Sequence, residues 1–221
     1  MAAFAWTPTN GVFAGTCGNM NVTCDPTLGL AVTVPMWRLT LPRLLGVEIV
    51  AAENAQPMPL AEPDAPPEVV CRQDILWAQF KPTPRRNVEC HARWRVLEPG
   101  VLDLQVSTLT PGQWSGLSVQ SFTALLPGEI FLLETDALPM LFLQPHDVEG
   151  SYVEMVHPHD GIGIETDGKG GFRYRLFGHD LEKGVILRGR LRGLVLPRDG
   201  DEDAARAAYA EFIKEPPNLS L

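Results

Sequence analysis

The chain has 221 residues, 45% hydrophobic and 20% charged, enough apolar mass for one core in a single domain spanning 1–221, which excludes disorder and collagen-like architecture. Eighteen basic against 27 acidic residues give a formal charge of -9, which repels a phosphate backbone and argues against nucleic-acid binding. A mean hydropathy of -0.01, with no apolar run near the ~20 residues of a bilayer-spanning helix, argues against an integral membrane protein.

The first residues, Met-Ala-Ala-Phe-Ala-Trp, lack the basic start and long apolar stretch of a signal peptide. Cys17, Cys24, Cys71 and Cys90 form no CxxC pair, which argues against a zinc ribbon or a thioredoxin-type redox site, and a secreted small scaffold would carry denser cysteine. A cytoplasmic location is expected. Twenty prolines and twenty glycines then cut the chain into short segments rich in Val, Leu, Phe, Trp and Thr, an all-β pattern. Strands are expected over 29–41 and 45–51, and the five prolines of 55–68 predict a long exposed loop.

From Cys90 to Val96, apolar Cys90, Ala92, Trp94 and Val96 alternate with His91, Arg93 and Arg95. After Glu98-Pro99-Gly100, Leu102, Leu104 and Val106 alternate with Asp103, Gln105 and Ser107, which predicts a hairpin with Arg95 near Asp103 or Gln105. Shorter strands are expected over 117–126, 130–134, 140–143 and 152–157. Phe172, Tyr174 and Leu176 alternate with Arg173 and Arg175, and beyond a turn at 178–184 Arg188, Arg190 and Arg192 alternate with Leu187, Gly189, Leu191 and Gly193. This predicts a second hairpin, with the glycines admitting close approach of another layer. Residues 201–215 predict the one helix, capped by Asp199 or Asp201, apolar along Ala205, Ala208, Tyr209 and Phe212, and stopped by Pro216-Pro217. Ten to fourteen strands and a terminal helix predict an antiparallel two-sheet β-sandwich.

Three groups of side chains carry the chemical candidates. His157 and His159 lie at i and i+2 of an extended segment and project to one side, a spacing that serves a metal or a sugar hydroxyl. With Glu165 and His179 they form a loose cupin-like set; the plain alternative is a polar turn. The arginines, Arg93, Arg173 and Arg175 foremost, suit bidentate capture of a carboxylate, sulfate or phosphate, or else form a solvated face paired with the chain's acids. For proton transfer, His91, His146, His157, His159 and His179 stand beside Glu154, Asp160, Glu165 and Asp180, with His157 or His159 as acid and Asp160 or Glu154 as base. Trp114, in a Pro-Gly turn, is expected to be exposed and to offer an indole to a sugar ring, whereas Trp94 and Cys90 belong to the core by phase. The sequence has no Gly-x-Ser-x-Gly elbow, P-loop or Rossmann fingerprint.

The run Ala92-Arg93-Trp94-Arg95-Val96-Leu97-Glu98-Pro99-Gly100-Val101-Leu102-Asp103-Leu104 and the run from Phe172 to Gly184, followed by an arginine-alternating strand and a short helix, resemble bacterial galactose mutarotase-like proteins. The stretch 16–45 resembles uncharacterised members of that group. The resemblance implies the β-supersandwich of aldose 1-epimerases, of polysaccharide-lyase and glycosidase domains, and of binding modules. The family's His-x-Tyr-x-Asn type segment and late glutamate have no counterpart here. The resulting expectation is a carbohydrate-recognising β-sandwich whose concave sheet face takes a small, anionic sugar through His91, Arg93, Trp114, Arg173, Arg175 and the His157/His159 loop. Mutarotase-like isomerisation is its catalytic form, with no cofactor, nucleic acid or membrane involved. The alternatives are a metal-dependent cupin-like enzyme and a non-catalytic assembly protein that dimerises through open sheet edges.

Overall fold

The computed structural model describes residues 4–50, 58–62, 64–109, 118–124, 127–161, 163–166, 171–177 and 183–216. Its strands are β1 (Thr7–Thr9), β2 (Val12–Cys17), β3 (Met20–Asp25), β4 (Gly29–Val34), β5 (Leu39–Leu44), β6 (Gly46–Val50), β7 (Met58–Pro59), β8 (Glu68–Arg72) and β9 (Ile75–Phe80). They continue with β10 (Glu89–Glu98), β11 (Val101–Leu109), β12 (Ser118–Ala124), β13 (Gly128–Leu133), β14 (Met140–Pro145), β15 (Gly150–Val156), β16 (Gly163–Thr166), β17 (Gly171–Phe177) and β18 (Ile186–Pro197). Helix α1 is Asp201–Phe212.

Strands β1 to β5 form a five-stranded meander opened by a two-residue turn, Asn10-Gly11, in which both residues adopt positive φ. An eight-stranded sheet runs β13-β14-β15-β18-β11-β10-β9-β8, and a second five-stranded sheet runs β16-β17-β12-β6-β7. One core of buried residues draws on all three, with Val22 and Leu41, Trp94 and Leu104, and Ile49 and Tyr174 among its members. The protein is therefore an all-β antiparallel sandwich. Trp94 is fully buried, and its indole Nε1 donates to the Leu45 carbonyl at 3.0 Å, which ties the eight-stranded sheet to the layer opposite.

The expected hairpin of β10 and β11 forms, with Arg95 in register with Asp103. The second expected hairpin does not. Strand β17 pairs with β12 and β16, whereas β18 lies in the other sheet between β11 and β15. Period-two alternation is met equally by two strands paired edge to edge and by two strands facing each other across a core, and here the second holds. A side chain built at Gly189 would put its Cβ 3.1 Å from Leu176 of β17, so the glycine is what admits the opposing strand.

Three further expectations are corrected. The described strands number 18, because the turns at Asn10-Gly11 and around 73–74 create strands that composition alone does not mark. The proline-rich 55–68 segment contributes β7, which pairs with β6. Neither Asp199 nor Asp201 caps α1: the N-cap is Gly200, and the Asp201 carboxylate accepts from Ser151 Oγ and from Gln144 Nε2, the latter at 2.8 Å. That carboxylate anchors the helix start to β14 and β15 instead. Ala205, Tyr209 and Phe212 then bury the apolar stripe against Met140, Phe142, Val153, Met155 and Leu194.

Candidate functional site

Strand register builds one polar surface, the outer face of the eight-stranded sheet. Val70, Trp77, Arg93, Gln105 and Arg190 stand side by side across β8, β9, β10, β11 and β18. A flanking row holds Gln79, His91, Ser107 and Arg188, and the row beyond Arg93 holds Ile75, Arg95, Asp103 and Arg192. Alternation sends all of these away from the core while their neighbours Ala78, Trp94, Leu104 and Leu191 point inward.

Helix α1 covers the β13–β15 side of this face, and the segment after it crosses β18. Arg190 Nη1 donates to the carbonyls of Glu215 (3.3 Å) and Pro216 (2.9 Å), while its Nε donates to Asp160 at 2.6 Å. Arg192, 7% exposed, holds the Glu215 carboxylate at 2.8 and 3.1 Å and Asp103 at 2.7 and 3.1 Å, with its guanidinium 4.6 Å from the centre of the Phe212 ring. These contacts make a wall along β18. No described helix or strand packs over the outer face of β8 to β11, where Trp77, Arg93 and Gln105 are partly exposed.

Charge is unevenly compensated on that open half. His91 Nε2 hydrogen-bonds Glu89 Oε1 at 2.7 Å, and Arg95 holds Asp74 through Nε (3.0 Å) and Nη2 (2.7 Å). Arg93, between them on β10, has no hydrogen bond or salt bridge to any described residue, and its Nε is buried without a partner. Burial and the neighbouring Arg95 charge lower its pKa, against the pull of Asp103 and Asp74. Trp77 is the cross-strand neighbour of Arg93, and its ring lies 5.1 Å from that of His91, tilted by 52°.

Of the residues singled out from the sequence, the structure brings His91 and Arg93 together on this face, and places His157 and Asp160 at its walled margin. His157 is 2% exposed, packed edge-on to Phe212; burial, then the Arg190 charge, lower its pKa, opposed by Asp160 and the Ile213 backbone. His159 is exposed, its ring 5.6 Å from that of His157. Glu154 points the other way, into the core. It accepts hydrogen bonds from Ser121 (3.2 Å), Thr123 (2.5 Å) and Tyr152 (2.8 Å), and burial raises its pKa despite those donors. It therefore shares no space with His157 or Asp160.

Arg173 and Arg175 occupy the outer face of the second five-stranded sheet, across the core from Arg93. Arg173 pairs with Glu48 at 3.1 Å, and Arg175 approaches Glu165 at 3.9 Å. The expected single anion site of Arg93, Arg173 and Arg175 is thus divided between opposite surfaces, and Glu165 stands apart from His157 and His159. Trp114 and His179 lie outside the described residues. Among the described residues no group of three or more His, Cys, Asp or Glu is placed to hold a metal ion, and no helix is long and apolar enough to cross a membrane. Sequence reasoning passed over Trp77 and Glu89; the signal for Trp77 was the alternation Leu76, Ala78, Phe80 against Trp77 and Gln79, which marks a third strand beside the first hairpin, and the signal for Glu89 was its phase with His91, Arg93 and Arg95.

No family model matches the chain, and no curated protein matches it. Solved structures do. An α-mannosidase from Enterococcus faecalis is similar at 8% identity over 96% of this chain with a TM-score of 0.66, and a glycosyl hydrolase family 38 protein from the same organism at 9% over 96% with 0.68. A human-microbiome protein described as a kojibiose phosphorylase is similar at 6% over 98%, with a TM-score of 0.62. The chain spans 32%, 33% and 37% of those three chains, about a third of each. At such identities the likeness is one of fold, and the fold is a β-sandwich that occurs within proteins named for carbohydrate chemistry.

Proposed function

We propose that this chain is a carbohydrate-binding β-sandwich and that its sugar surface is the open half of the outer face of the eight-stranded sheet. The observation that carries the reading is the partly exposed Trp77 set between Arg93 and His91 on a rigid three-strand platform. An indole offers its face to the apolar side of a pyranose, and the neighbouring guanidinium, imidazole and amide groups supply donors and acceptors for its hydroxyls. The fold shared with carbohydrate-active enzymes supports the same ligand class. Titration of the protein with neutral and acidic oligosaccharides, followed by amide and indole NMR shifts, tests it: shifts clustered on β9, β10 and β11 and lost in Trp77→Ala support the reading. Saturation without shifts in those strands sinks it.

Mutarotation is the catalytic form of this proposal. The pair best disposed for it is His91 with Glu89, because the carboxylate orients the imidazole through Nε2 and the imidazole borders Trp77. His157 and Asp160 are less suited, since Asp160 is held by Arg190 and His157 is buried. Polarimetry on a freshly dissolved anomer decides it: a rate above buffer that falls in His91→Ala but not in His159→Ala is expected if the protein catalyses the exchange.

A further inference from the structure

The open face has a direction, and charge sets it. Along β10, Arg93 is bounded on one side by Glu89 and on the other by Asp74, each already engaged with the intervening cation. An anionic chain laid along the strand would meet the Glu89 carboxylate four residues one way and the Asp74 carboxylate on Arg95 the other way. Across the strands the surroundings differ: Trp77 on β9 and Gln105 on β11 are the direct neighbours, one aromatic and one neutral. Beyond Trp77 lies the exposed Val70 at the free edge of the sheet, and beyond Gln105 stands the wall made by Arg190 and the residues after α1. Four inter-strand spacings separate the β8 edge from β18, about 19 Å. That is the length of a short oligosaccharide and exceeds a single sugar ring.

We infer that the ligand is an extended acidic glycan lying across the strands, with a carboxylate or sulfate seated on Arg93, an adjoining ring stacked on Trp77, one end against the β18 wall and the other leaving over the β8 edge. The inference rests on the carbohydrate reading above and adds the charge, the length and the orientation of the ligand. Arg93 is the cation that invites it: its neighbours His91 and Arg95 each hydrogen-bond a carboxylate, whereas among the described residues Arg93 hydrogen-bonds none and feels Asp103 and Asp74 only at longer range. A planar guanidinium that is partly exposed and has no carboxylate in hydrogen-bond reach among the described residues gains most from an oxyanion that takes two of its donors at once. Gln105, with amide donor and acceptor, suits the hydroxyls of the sugar between Arg93 and the wall.

The test is calorimetric titration of the intact chain at low and moderate salt with five probes of defined structure: a hexasaccharide alternating uronate and neutral sugars, its sulfated counterpart, a neutral hexasaccharide, a monomeric uronate, and oligothymidylate. The expected result is that an acidic hexasaccharide binds at least about tenfold tighter than the neutral one and the monomer, and that Arg93→Gln removes the acidic advantage, the acidic affinity falling much further than the neutral one. The uronate and sulfate arms identify the anion. Gln105→Glu, which adds a charge beside Arg93 without touching Trp77, is expected to weaken the acidic probes more than the neutral one, and Arg93→Lys to recover part of the loss seen in Arg93→Gln; each variant is compared with wild type by its melting temperature. Equal affinity for neutral and acidic hexasaccharides overturns the anionic assignment and leaves the carbohydrate reading standing. Equal affinity for monomer and hexasaccharide overturns the extended geometry. Tighter binding of oligothymidylate overturns both in favour of a nucleic acid, and absence of binding by every sugar overturns the carbohydrate reading itself.

Discussion

Arg86 holds the platform on which the candidate face is built, and its replacement by methionine measures how firmly. The side chain is 2% exposed in the connection between β9 and β10 and meets no carboxylate among the described residues; its Nη1 and Nη2 donate to the carbonyls of Val88 (3.1 Å) and Lys81 (2.9 Å), with Phe80 at 3.5 Å. Two well-formed charge-assisted bonds are lost in Arg86→Met. Each is worth about 1.5–3 kcal/mol, and the buried carbonyls are left without a donor. Against this, the variant no longer keeps a guanidinium out of water, which returns part of the loss. The net expectation is about 3 kcal/mol of destabilisation, read as a lower urea midpoint at unchanged m-value. Arg86→Lys, which keeps the charge without the planar fork, should fall between. Hydrogen exchange should quicken first at Phe80 and Cys90, which pair across the strand ends that Arg86 closes. A loss below about 1 kcal/mol in Arg86→Met would refute the account, since it would mean that those carbonyls never depended on the guanidinium.

Glu154→Gln should separate burial from charge. Because burial raises the Glu154 pKa in the folded state, the group favours folding fully below its unfolded value of about 4.3, and that contribution is lost as pH rises through the folded pKa. The glutamine variant should therefore melt higher than wild type by a margin that opens as pH rises above about 4; a margin independent of pH would contradict the sign. Thiol titration in native buffer should leave Cys24 and Cys90 silent, since both are fully buried and the Cys90 thiol is pushed up to about 12, while the half-buried Cys17 and Cys71 react; rapid labelling of Cys90 would show the core open. Arg192→Met should release the segment after α1, raising amide exchange at Ile213, Lys214 and Glu215 by tenfold or more, about 1.4 kcal/mol or beyond in local stability. Unchanged exchange there would show that Arg190 and the packing of Phe212 hold the segment without Arg192.

The strands and the inward residues were readable because a half-buried strand must alternate. Trp94, Cys90 and the Ala205–Tyr209–Phe212 stripe follow from phase alone, and the structure places them where phase predicts. The hairpin β10–β11 was readable as well, because a tight Glu98-Pro99-Gly100 turn leaves its two strands no partner nearer than each other. The first strands were not read, although Asn10-Gly11 is a two-residue turn signal, because composition alone does not mark the strands it joins. What alternation does not encode is the identity of the neighbour. Strands β17 and β18 share the same period and the same arginine-rich outward phase, and nothing local distinguishes pairing in one sheet from facing across the core.

That ambiguity decided the candidate site. Joining β17 to β18 would have put Arg173, Arg175, Arg188 and Arg190 on one surface, a dense basic strip on an acidic protein. Assigning the strands to opposing sheets instead turns the two sets of arginines outward in opposite directions, and each then meets its own acids: Glu48 and Glu165 on one side, Asp103, Asp160 and Glu215 on the other. Most of the basic strip is thereby spent on structure. Arg93 escapes because its cross-strand neighbours are Trp77 and Gln105, neither of which carries a charge, and because the nearer acids are already held by Arg95 and Arg192. A cation left over by strand register, beside an indole, on the face that α1 leaves uncovered, is where an external anion gains most. The same residues in a single basic strip would have offered many equivalent positions and selected none.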